Sequence, residues 1–340
     1  MKVAIVGLGY WGPKLVRNLV GLMGPENVVA VERQPDRRAL LAEFPGVRYE
    51  SSLRRALGDD DIVAVVLATP VSTHARLARQ VLRAGRHVLV EKPLADSVTD
   101  AIRLCRLADE QHVRLMAGHT FLFSPRVQTV ARSIAEGATG PVHYVTSERL
   151  NLGIHQSDAN VIWDLAPHDF SIVFHLLGEY PVHVHSMAHG VVRPDVPDVA
   201  FVNMAFPSGA VASVSVSWLA PRKVRSTTVV GERGMIIFDD TRVDEPVKIY
   251  DKGVVVPESS DFGEHQLTYR YGDTVSPYVP SDEPLRLELA HFLECIADPD
   301  MRCLADGWSG VEVVKALAAA DSSWRSGGMP VTLEARRSVA

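Results

Sequence analysis

Residues 3–13 read VAIVGLGYWGP, and this short stretch decides the fold of the first part of the chain. Val3 to Val6 form a continuous apolar run rich in β-branched residues, which is typical of a parallel strand covered on both faces. The run leads directly into a G-x-G-x-x-G pattern. In that pattern Gly7 allows a tight turn, Gly9 lets the backbone approach a pyrophosphate, and Gly12 lets a helix pack against the strand. The stretch therefore predicts a strand, turn and helix that bind a dinucleotide.

The end of the second strand bears on which dinucleotide is bound. We predict this strand over Asn27 to Val31, and it leads to Glu32, about 20 residues beyond the glycines, where an acidic side chain meets the ribose hydroxyls of NAD. Arg33, Arg37 and Arg38 lie in the same region. An arginine there can instead accept the 2′-phosphate of NADP. The sequence thus favours NAD and leaves NADP open.

Strands and helices continue to alternate up to about residue 119, which predicts a doubly wound parallel sheet and an α/β fold. In such sheets the ligand binds beyond the carboxyl ends of the strands. Glu91 and Lys92 follow one of these strands, and a solvated strand end would explain their charges. Their position at the ligand-binding edge also makes Lys92 a candidate catalytic residue. The polar segments at the predicted strand ends are Thr69-Pro70, Glu91-Lys92-Pro93 and Gly118-His119.

The second part of the chain has a different pattern. A length of 340 residues exceeds what one core usually supports, so we predict two domains, 1–122 and 123–340. Alternating runs such as VASVSVSW at 211–218 predict a mainly antiparallel sheet with one covered face, whose serine side meets solvent or a second subunit. Residues 251–284 are rich in proline, glycine and polar side chains, which predicts a long loop.

The composition points to a small-molecule partner. The net charge is −6, and 46% of the residues are hydrophobic. An acidic chain gives no reason to expect nucleic acid or an anionic membrane as a partner. The apolar run near the start is too short for a signal-peptide core or a membrane span, so we expect a cytoplasmic protein.

We predict no metal site. The three cysteines stand outside any C-x-x-C arrangement, and their odd, sparse number suits a reducing compartment. Three histidines alternate along one predicted strand without a carboxylate or cysteine to complete a ligand set. These residues are Cys105, Cys295 and Cys303, and His183, His185 and His189.

The stretch WDLAPHD at 163–169 offers a candidate acid–base pair. We predict a helix over Leu165 to Leu177, and if it reaches back to Asp164, that carboxylate shares a face with His168. The carboxylate would then orient the imidazole for proton exchange near neutral pH, although the same spacing also suits two ligands of one metal ion. The structural alternative is that Asp164 or Asp169 caps the helix while His168 packs.

Taken together, these motifs resemble the glucose-fructose oxidoreductase and inositol dehydrogenase family, often called Gfo/Idh/MocA. The resemblance extends over essentially the whole chain and follows the family's order. It implies a Rossmann domain followed by an α/β domain with a large open sheet, with the last helices able to pack back on the first domain. The matching stretches are VAIVGLGYWG, ATPVSTH at 68–74, AGRHVLVEKPLA at 84–95, AGH at 117–119, WDLAPHD, and PLRLELAHFLECI with DGWSGVEVVKAL near the end.

The resemblance also implies roles for individual residues. The lysine of the E-K-P motif, here Lys92, sits near the nicotinamide and the reacting hydroxyl, and the family's D-x-x-x-H pair falls on Asp164 and His168. Whether Lys92 or His168 takes the proton is left open. The residues expected to contact the cofactor are Gly7, Gly9, Tyr10, Trp11, Gly12, Glu32, Arg33, Ala68, Thr69, Pro70, His74, Glu91, Lys92, Pro93 and His119.

The resemblance narrows the substrate to a sugar. The sequence looks most like the branch that oxidises or reduces C3 of nucleotide-linked sugars; a free sugar or inositol is the alternative. A non-catalytic NAD(H) sensor, and an enzyme that retains and recycles its dinucleotide, also stay open. The family commonly forms dimers or tetramers, so we expect a homodimer or homotetramer. Residues expected to contact the substrate are Arg149, Asn151, His155 and Asn160.

Overall fold

The computed structural model describes residues 1–153, 155, 159–255 and 268–334, and these divide into two compact units. The first unit contains Met1–Phe123 and Asp282–Ala318. Its elements before residue 124 are β1 (Lys2–Val6), α1 (Gly12–Met23), β2 (Val28–Val31), β3 (Arg48–Glu50), α2 (Leu53–Ala56), β4 (Ile62–Leu67), α3 (Val71–Arg83), β5 (His87–Glu91), α4 (Val98–Glu110) and β6 (Leu115–Gly118).

The sheet of the first unit explains why its opening strand is so apolar. Among the described residues it contains six strands, all parallel, in the order β3-β2-β1-β4-β5-β6. Because β1 lies in the middle, its Val3 and Ile5 are fully buried, and Leu15 and Leu19 of α1 belong to the same core. The strand order reverses between β1 and β4, which is where doubly wound sheets bind their ligands. The predicted parallel sheet is confirmed.

The second unit contains Ser124–Ser281 and Ala319–Ala340. After α5 (Pro125–Ala135) come β7 (Val142–Leu152), α6 (Val161–Leu177), β8 (His183–His189), β9 (Val199–Ala205), β10 (Val211–Ser217), β11 (Leu219–Gly231), β12 (Met235–Asp239), β13 (Val247–Val255) and β14 (Thr268–Val275). The chain ends with α7 (Pro284–Ala297) in the first unit, α8 (Gly307–Arg325) and β15 (Val331–Thr332).

One large, mainly antiparallel sheet dominates the second unit. In the part of the chain that the structure describes, its order is β14-β13-β12-β11-β7-β10-β9-β8-β15, and only β7 and β10 pair in parallel. Helix α6 packs against β7, β9 and β10. Ala212, Val214 and Val216 of β10 are buried while most of its serines are half-buried, as the alternating pattern predicts; the first residue of the strand, Val211, is exposed. The predicted α/β fold class is confirmed for both sheets.

The sequence did not predict strands β3, β13, β14 and β15, and one predicted loop is wrong. The expected loop over 251–284 instead contains most of β13 and all of β14, which pair with each other; residues 256–267 lie outside the described part. Most side chains of β14 are exposed, so no apolar alternation marks it in the sequence. The short strand β3 lies at the sheet edge, and its three residues are half-buried and polar. It therefore also shows no apolar alternation in the sequence.

The division into units differs from the predicted domains at the end of the chain. The first boundary lies after Phe123, one residue from the predicted one, but Asp282–Ala318 belong to the first unit and not to the second. Helix α7 packs on α1 through a stripe that includes Leu285, Leu289 and Phe292, all part of the first unit's core. Among the described residues, no helix has both the length and the apolar character needed to cross a bilayer.

Candidate active site

The glycine turn between β1 and α1 has the shape that a dinucleotide requires. Gly7 has φ 98°, and a Cβ there would lie 2.5 Å from the Ala68 carbonyl oxygen; a Cβ on Gly12 would lie 2.3 Å from the Gly7 carbonyl oxygen. Gly9 differs, because a Cβ there would meet only the Arg37 Nη1 atom, at 3.7 Å. The first and third glycines therefore pack the turn, while the second leaves open space at the backbone. That space suits a pyrophosphate.

The N-terminus of α1 adds positive character to this turn. Pro13 occupies its first turn, and no side chain caps the helix, so its first N–H groups are available to an anion. The Lys14 ammonium lies 3.6 Å from the centroid of the Tyr10 ring and 4.5 Å from that of Trp11. Lys14 was not predicted as a site residue. Contact of Tyr10 and Trp11 with the cofactor stays a prediction.

Glu32 ends β2 as a buried carboxylate tied to the glycine turn. It accepts hydrogen bonds from the backbone N–H of Leu8 at 2.8 Å and of Gln34 at 3.0 Å. Burial raises the pKa of Glu32, but the backbone hydrogen bonds, from Gln34 first and Leu8 next, outweigh that effect and hold the pKa below its ordinary value. An ionised carboxylate here accepts ribose hydroxyls and repels a 2′-phosphate. Arg37, 3.8 Å away, partly offsets that charge, whereas Arg33 is exposed.

His74 links two of the strand-end segments. Its Nδ1 atom lies 2.9 Å from the Pro93 carbonyl oxygen and its Nε2 atom 2.8 Å from that of Thr69. Burial lowers the pKa of His74 more than these two carbonyls raise it, so the ring is neutral near pH 7 and donates to one of them. Because both nitrogens face the backbone, His74 holds the loops that carry Ala68 to Pro70 and Pro93.

The E-K-P segment stands at the carboxyl end of β5, as predicted. The Lys92–Pro93 peptide bond is cis, and the Lys92 N–H donates to Glu91 Oε2 at 3.3 Å. Glu91 is buried, and burial raises its pKa to about 7 although the Lys92 charge opposes the rise. Lys92 itself is half-buried. The segment therefore places the Lys92 amine directly after Glu91, whose carboxyl group ionises near neutral pH.

A second polar segment follows the next strand, β6. His119 is 1% exposed, and among the described residues neither ring nitrogen has a hydrogen-bond partner. Burial, with the Lys92 charge second, lowers the pKa of His119 to about 4, so the ring is neutral at pH 7. The neighbouring Thr120 hydroxyl donates to Glu288 Oε2 of α7 at 2.7 Å.

Glu288 is the site residue that the sequence reasoning missed. It is completely buried, and burial together with the nearby Glu91 charge raises its pKa well above the ordinary value. The signal was present in the sequence. Position 288 follows Leu285 by three residues and precedes Phe292 by four, so it lies on the apolar face of the helix. A glutamate on that face has to be buried.

The predicted pair in the second unit lies on α6. The helix begins at Val161, four residues earlier than predicted, so Asp164 and His168 both lie within it and share a face. Asn160 caps the helix, so the structural alternative in which Asp164 or Asp169 caps it is wrong. Asp164 accepts the indole N–H of Trp218 at 3.1 Å. The acid–base role of the pair stays a prediction.

Two of the four predicted substrate residues have structural partners. Arg149 is 5% exposed, and its Nε atom lies 2.6 Å from Asp169 Oδ2 in a buried ion pair. Asn160 accepts the N–H groups of Ile162 and Trp163 and donates to Asp321, so both ends of its amide are engaged. A substrate contact stays a prediction for both Arg149 and Asn160.

The other two predicted substrate residues lie near the start of the undescribed segment. His155 Nε2 lies 3.6 Å from the fully buried Asp198 carboxylate, and its ring packs on Trp218 with centroids 5.2 Å apart. Asn151 is half-buried on β7 beside Gly153. A substrate contact stays a prediction for both His155 and Asn151.

One group of possible metal ligands occurs in the described residues, and the sequence did not predict it as a site. His291, Cys295 and Cys303 place their ligand atoms within 4.8 Å of one another. However, His291 Nε2 already accepts the Leu304 N–H at 3.0 Å and lies 3.4 Å from Cys295 Sγ. Burial raises the pKa of both thiols, whereas metal binding needs thiolates. These contacts suit a packed, protonated cluster better than a metal centre.

Comparison with known families and proteins places this geometry in context. Residues 1–119 match the model of the Gfo/Idh/MocA oxidoreductase family's NAD-binding Rossmann fold, and residues 127–237 match that of a Gfo/Idh/MocA C-terminal domain. The chain is 29% identical to the UDP-N-acetylglucosamine 3-dehydrogenase of Acidithiobacillus ferrooxidans over 218 residues, which are 64% of this chain and 67% of that one. The structure of that enzyme superposes with a TM-score of 0.79, covering 96% of this chain and 98% of that one at 25% identity.

Two further relatives extend over nearly the whole chain. The scyllo-inositol 2-dehydrogenase (NAD(+)) of Bacillus subtilis is 26% identical over 353 residues, covering 99% of this chain and 97% of the relative. The structure of GenD2 from gentamicin A biosynthesis, in complex with NAD, has a TM-score of 0.80 at 26% identity and covers 98% and 96% of the two chains. The protein therefore belongs to the Gfo/Idh/MocA family of oxidoreductases, and its first unit carries that family's NAD-binding Rossmann domain.

Proposed function

We propose that this protein transfers a hydride between NAD and a carbinol or ketone carbon of a sugar, most specifically C3 of a nucleotide-linked sugar. The observation that carries the proposal is the placement of Lys92. This amine stands at the carboxyl edge of the parallel sheet, in the same unit as the glycine turn and next to the buried Glu91. Such an edge is where a doubly wound sheet presents its ligands.

Side chains of this protein carry out the proton transfer and stabilise the charge on the substrate. The nicotinamide supplies the hydride acceptor or donor when NAD is bound. Lys92 stabilises negative charge on the substrate oxygen and His168 exchanges the proton, with Asp164 setting the orientation of the imidazole. The assignment of these roles rests on the two sequence motifs. If the proton instead goes to Lys92, the pH–rate profile will lose its limb in Lys92→Ala and retain it in His168→Ala.

The fit of the cofactor rests on two contacts of the turn. Gly9 leaves open space for a pyrophosphate, and the Glu32 carboxylate stays ionised at the end of β2. An anion at this position accepts the 2′- and 3′-hydroxyls of an adenosine ribose, which supports NAD over NADP. The same contact with Leu8 joins the ribose-binding carboxylate to the glycine turn.

The relatives also support a substrate class other than nucleotide sugars. One relative named above acts on UDP-N-acetylglucosamine and another on scyllo-inositol, at similar identity. The motifs GYWGPKLVRNL and NVIWDLAPHD of this chain look like those of the nucleotide-sugar branch. A free cyclitol or sugar is therefore the second candidate substrate class.

A turnover screen tests the proposal. Purified protein is incubated with NAD or NADP and a panel of UDP-sugars, dTDP-sugars, free sugars and inositols, and reduced nicotinamide is followed by absorbance, with Lys92→Ala as the control of strongly reduced activity. We expect turnover with NAD and a nucleotide sugar. Turnover of inositol or a free sugar alone would replace the substrate class. Binding of NADH without any turnover would favour a sensor.

Two other possibilities are read from the same sample. Mass spectrometry of the denatured protein shows whether a dinucleotide co-purifies, as expected for an enzyme that recycles its cofactor within one turnover. Light scattering gives the oligomeric state, for which a homodimer or homotetramer stays the prediction. The cytoplasmic location also stays a prediction.

A further inference from the structure

The indole of Trp218 contacts Asp164, the carboxylate of the predicted acid–base pair in the second unit. Trp218 directly follows β10 and is 1% exposed, which makes it the largest completely buried side chain among the described residues. Its Nε1 atom donates to Asp164 Oδ2 at 3.1 Å. A tryptophan side chain has only this one polar group, and a buried tryptophan usually gives it a partner. The partner here is the carboxylate that the sequence assigns to proton exchange.

Neighbouring segments fix the position of this indole. The Trp218 backbone N–H donates to the Asp198 carbonyl oxygen at 2.9 Å, and the Trp218 carbonyl oxygen accepts the Gly153 N–H at 2.9 Å. Gly153 approaches the ring so closely that a Cβ there would lie 3.0 Å from Trp218 Cδ1. The His155 ring packs on the indole with centroids 5.2 Å apart, and its Nε2 atom lies 3.6 Å from Asp198 Oδ2. The direction of the indole N–H is therefore set by its packing.

Asp164 benefits from such a donor because a proline interrupts its own helix. Pro167 lies between Asp164 and His168 on α6, and it has no N–H to donate to the Trp163 carbonyl oxygen. The ring of a proline inside a helix also crowds that carbonyl, which loosens or bends the preceding turn. Asp164 is only half-buried, so packing alone does not fix its carboxylate. The four-residue spacing on the helix is therefore not enough to hold the pair in one geometry.

We propose that Trp218 is a positioning residue that acts through Asp164: its indole N–H fixes the carboxylate in the orientation from which it directs the His168 imidazole. This inference rests on the proposed function, in which His168 exchanges the proton with the substrate. The neutral indole holds the carboxylate without adding a positive charge, so it does not compete with an imidazolium as a lysine or arginine would. Loss of the N–H leaves the imidazole less often in its productive orientation, which lowers kcat and leaves KM nearly unchanged.

The first test removes the N–H and retains an aromatic ring. In Trp218→Phe we expect kcat to fall about tenfold while KM stays within about twofold, because a hydrogen bond to a charged group is lost. Phenylalanine is smaller and leaves a cavity, so a second variant carries benzothienylalanine at position 218, which keeps the shape of the indole and replaces its N–H by sulfur. That variant should show the same loss with a melting temperature near the parent's. A kcat equal to the parent's in the benzothienylalanine variant would overturn the proposal.

A matched control and a double variant locate the effect. Trp308 of the first unit also donates its indole N–H to an aspartate, Asp109 Oδ2 at 3.2 Å, and Trp308→Phe should leave kcat within about twofold of the parent. If Trp218 acts through Asp164, Trp218→Phe should lower kcat no further in an Asp164→Ala background. Losses that multiply in the double variant would mean that Trp218 acts by another route, which would contradict the proposal.

A readout without turnover separates this proposal from the proposed function. The chain has five tryptophans, so a nitrogen–proton correlation spectrum of the labelled protein contains five indole signals, and Trp218→Phe identifies one of them by its loss. Asp164→Ala should move the Trp218 signal upfield, because its acceptor is gone, while the Trp308 signal stays in place. An absence of turnover with every substrate would sink the proposed function, and this spectrum would still decide whether Trp218 holds Asp164. A Trp218 signal that does not move in Asp164→Ala would exclude the positioning role.

Discussion

The buried polar groups of the two units are satisfied in different ways. In the second unit, Asp169 accepts hydrogen bonds from both Arg149 and Ser147, so a buried charge meets an opposite charge and a hydroxyl. In the first unit, His119 and one oxygen of Glu288 are buried without a hydrogen-bond partner among the described residues. The first arrangement fixes α6 on β7. The second leaves buried polar atoms without a hydrogen bond.

The difference shows how burial alone fails to identify a functional group. Asp169 and Glu288 are both acidic and both buried, yet the first pairs with an arginine, whereas burial and the Glu91 charge raise the pKa of the second. Perturbed ionisation concentrates where charges lack full compensation, and such places are candidate functional sites. We therefore expect substitutions in the Arg149–Asp169 pair to change the stability of the protein. We expect substitutions at His119 and Glu288 to change how its properties depend on pH.

The largest expected effect comes from Asp169→Ala, which removes the acidic partner of the buried ion pair in the second unit. Removing the carboxylate leaves Arg149 buried without its counter-charge, so the free energy of unfolding should fall by about 3–5 kcal/mol. Urea unfolding followed by circular dichroism measures the loss. The control is Arg242→Ala, which removes an exposed pair with Asp239 and should cost less than about 1 kcal/mol. A loss for Asp169→Ala no larger than the control would show that the buried pair does not hold the second unit.

His119→Gln tests the first unit, where a buried imidazole has no hydrogen-bond partner among the described residues. The folded chain excludes a proton from His119 down to a pKa of about 4, whereas the unfolded chain takes it up near 6.5. The parent protein therefore loses stability as pH falls from about 6.5 to 4, by on the order of 3 kcal/mol at the lower end. Glu91 changes in the opposite sense over a similar range, but it is common to both proteins.

The measurement is the difference in melting temperature between His119→Gln and the parent at several pH values. The variant should gain relative stability steadily as pH falls from 6.5 towards 4, because it has no imidazole to protonate. A constant difference for His119→Gln would mean that the ring is not kept neutral by burial.

The smallest expected effect concerns the start of α6. Asn160→Ala removes the cap of the helix and its bond to Asp321, which should cost about 1 kcal/mol, while Asn160→Asp should retain most of the stability. Turnover measured well below the melting temperature should stay unchanged in both. A large loss of turnover in Asn160→Ala at unchanged stability would instead support the predicted substrate contact.

The sequence predicted the parallel sheet because local rules and burial agree there. Val3 to Val6 is apolar as a central strand must be, and the glycine spacing dictates the turn that follows. The carboxyl edge with Glu91, Lys92 and His119 was predicted for the same reason, since strand ends in a parallel sheet share one edge. Strand β14 could not be predicted, because its exposed side chains carry no apolar period.

The parts of the site that were missed depend on contacts between distant segments. Glu288 meets Thr120 across 168 positions of sequence, and no local pattern encodes that partner. Arg149 and Asp169 are 20 residues apart and are joined only because α6 packs on β7. An arginine near a predicted site looks available for substrate until its partner is known. The glutamate on the apolar face of α7 was the one visible signal that was not used.

The central claim is that Lys92 is a catalytic residue whose surroundings are tuned for it and not a solvated strand end. The most direct test is the turnover number of Lys92→Met with the substrate found in the screen, measured together with NADH affinity and melting temperature. The account predicts that kcat falls by about 10²–10⁴-fold, while NADH affinity and melting temperature stay close to those of the parent. A kcat within about threefold of the parent, with the cofactor still bound, would contradict it.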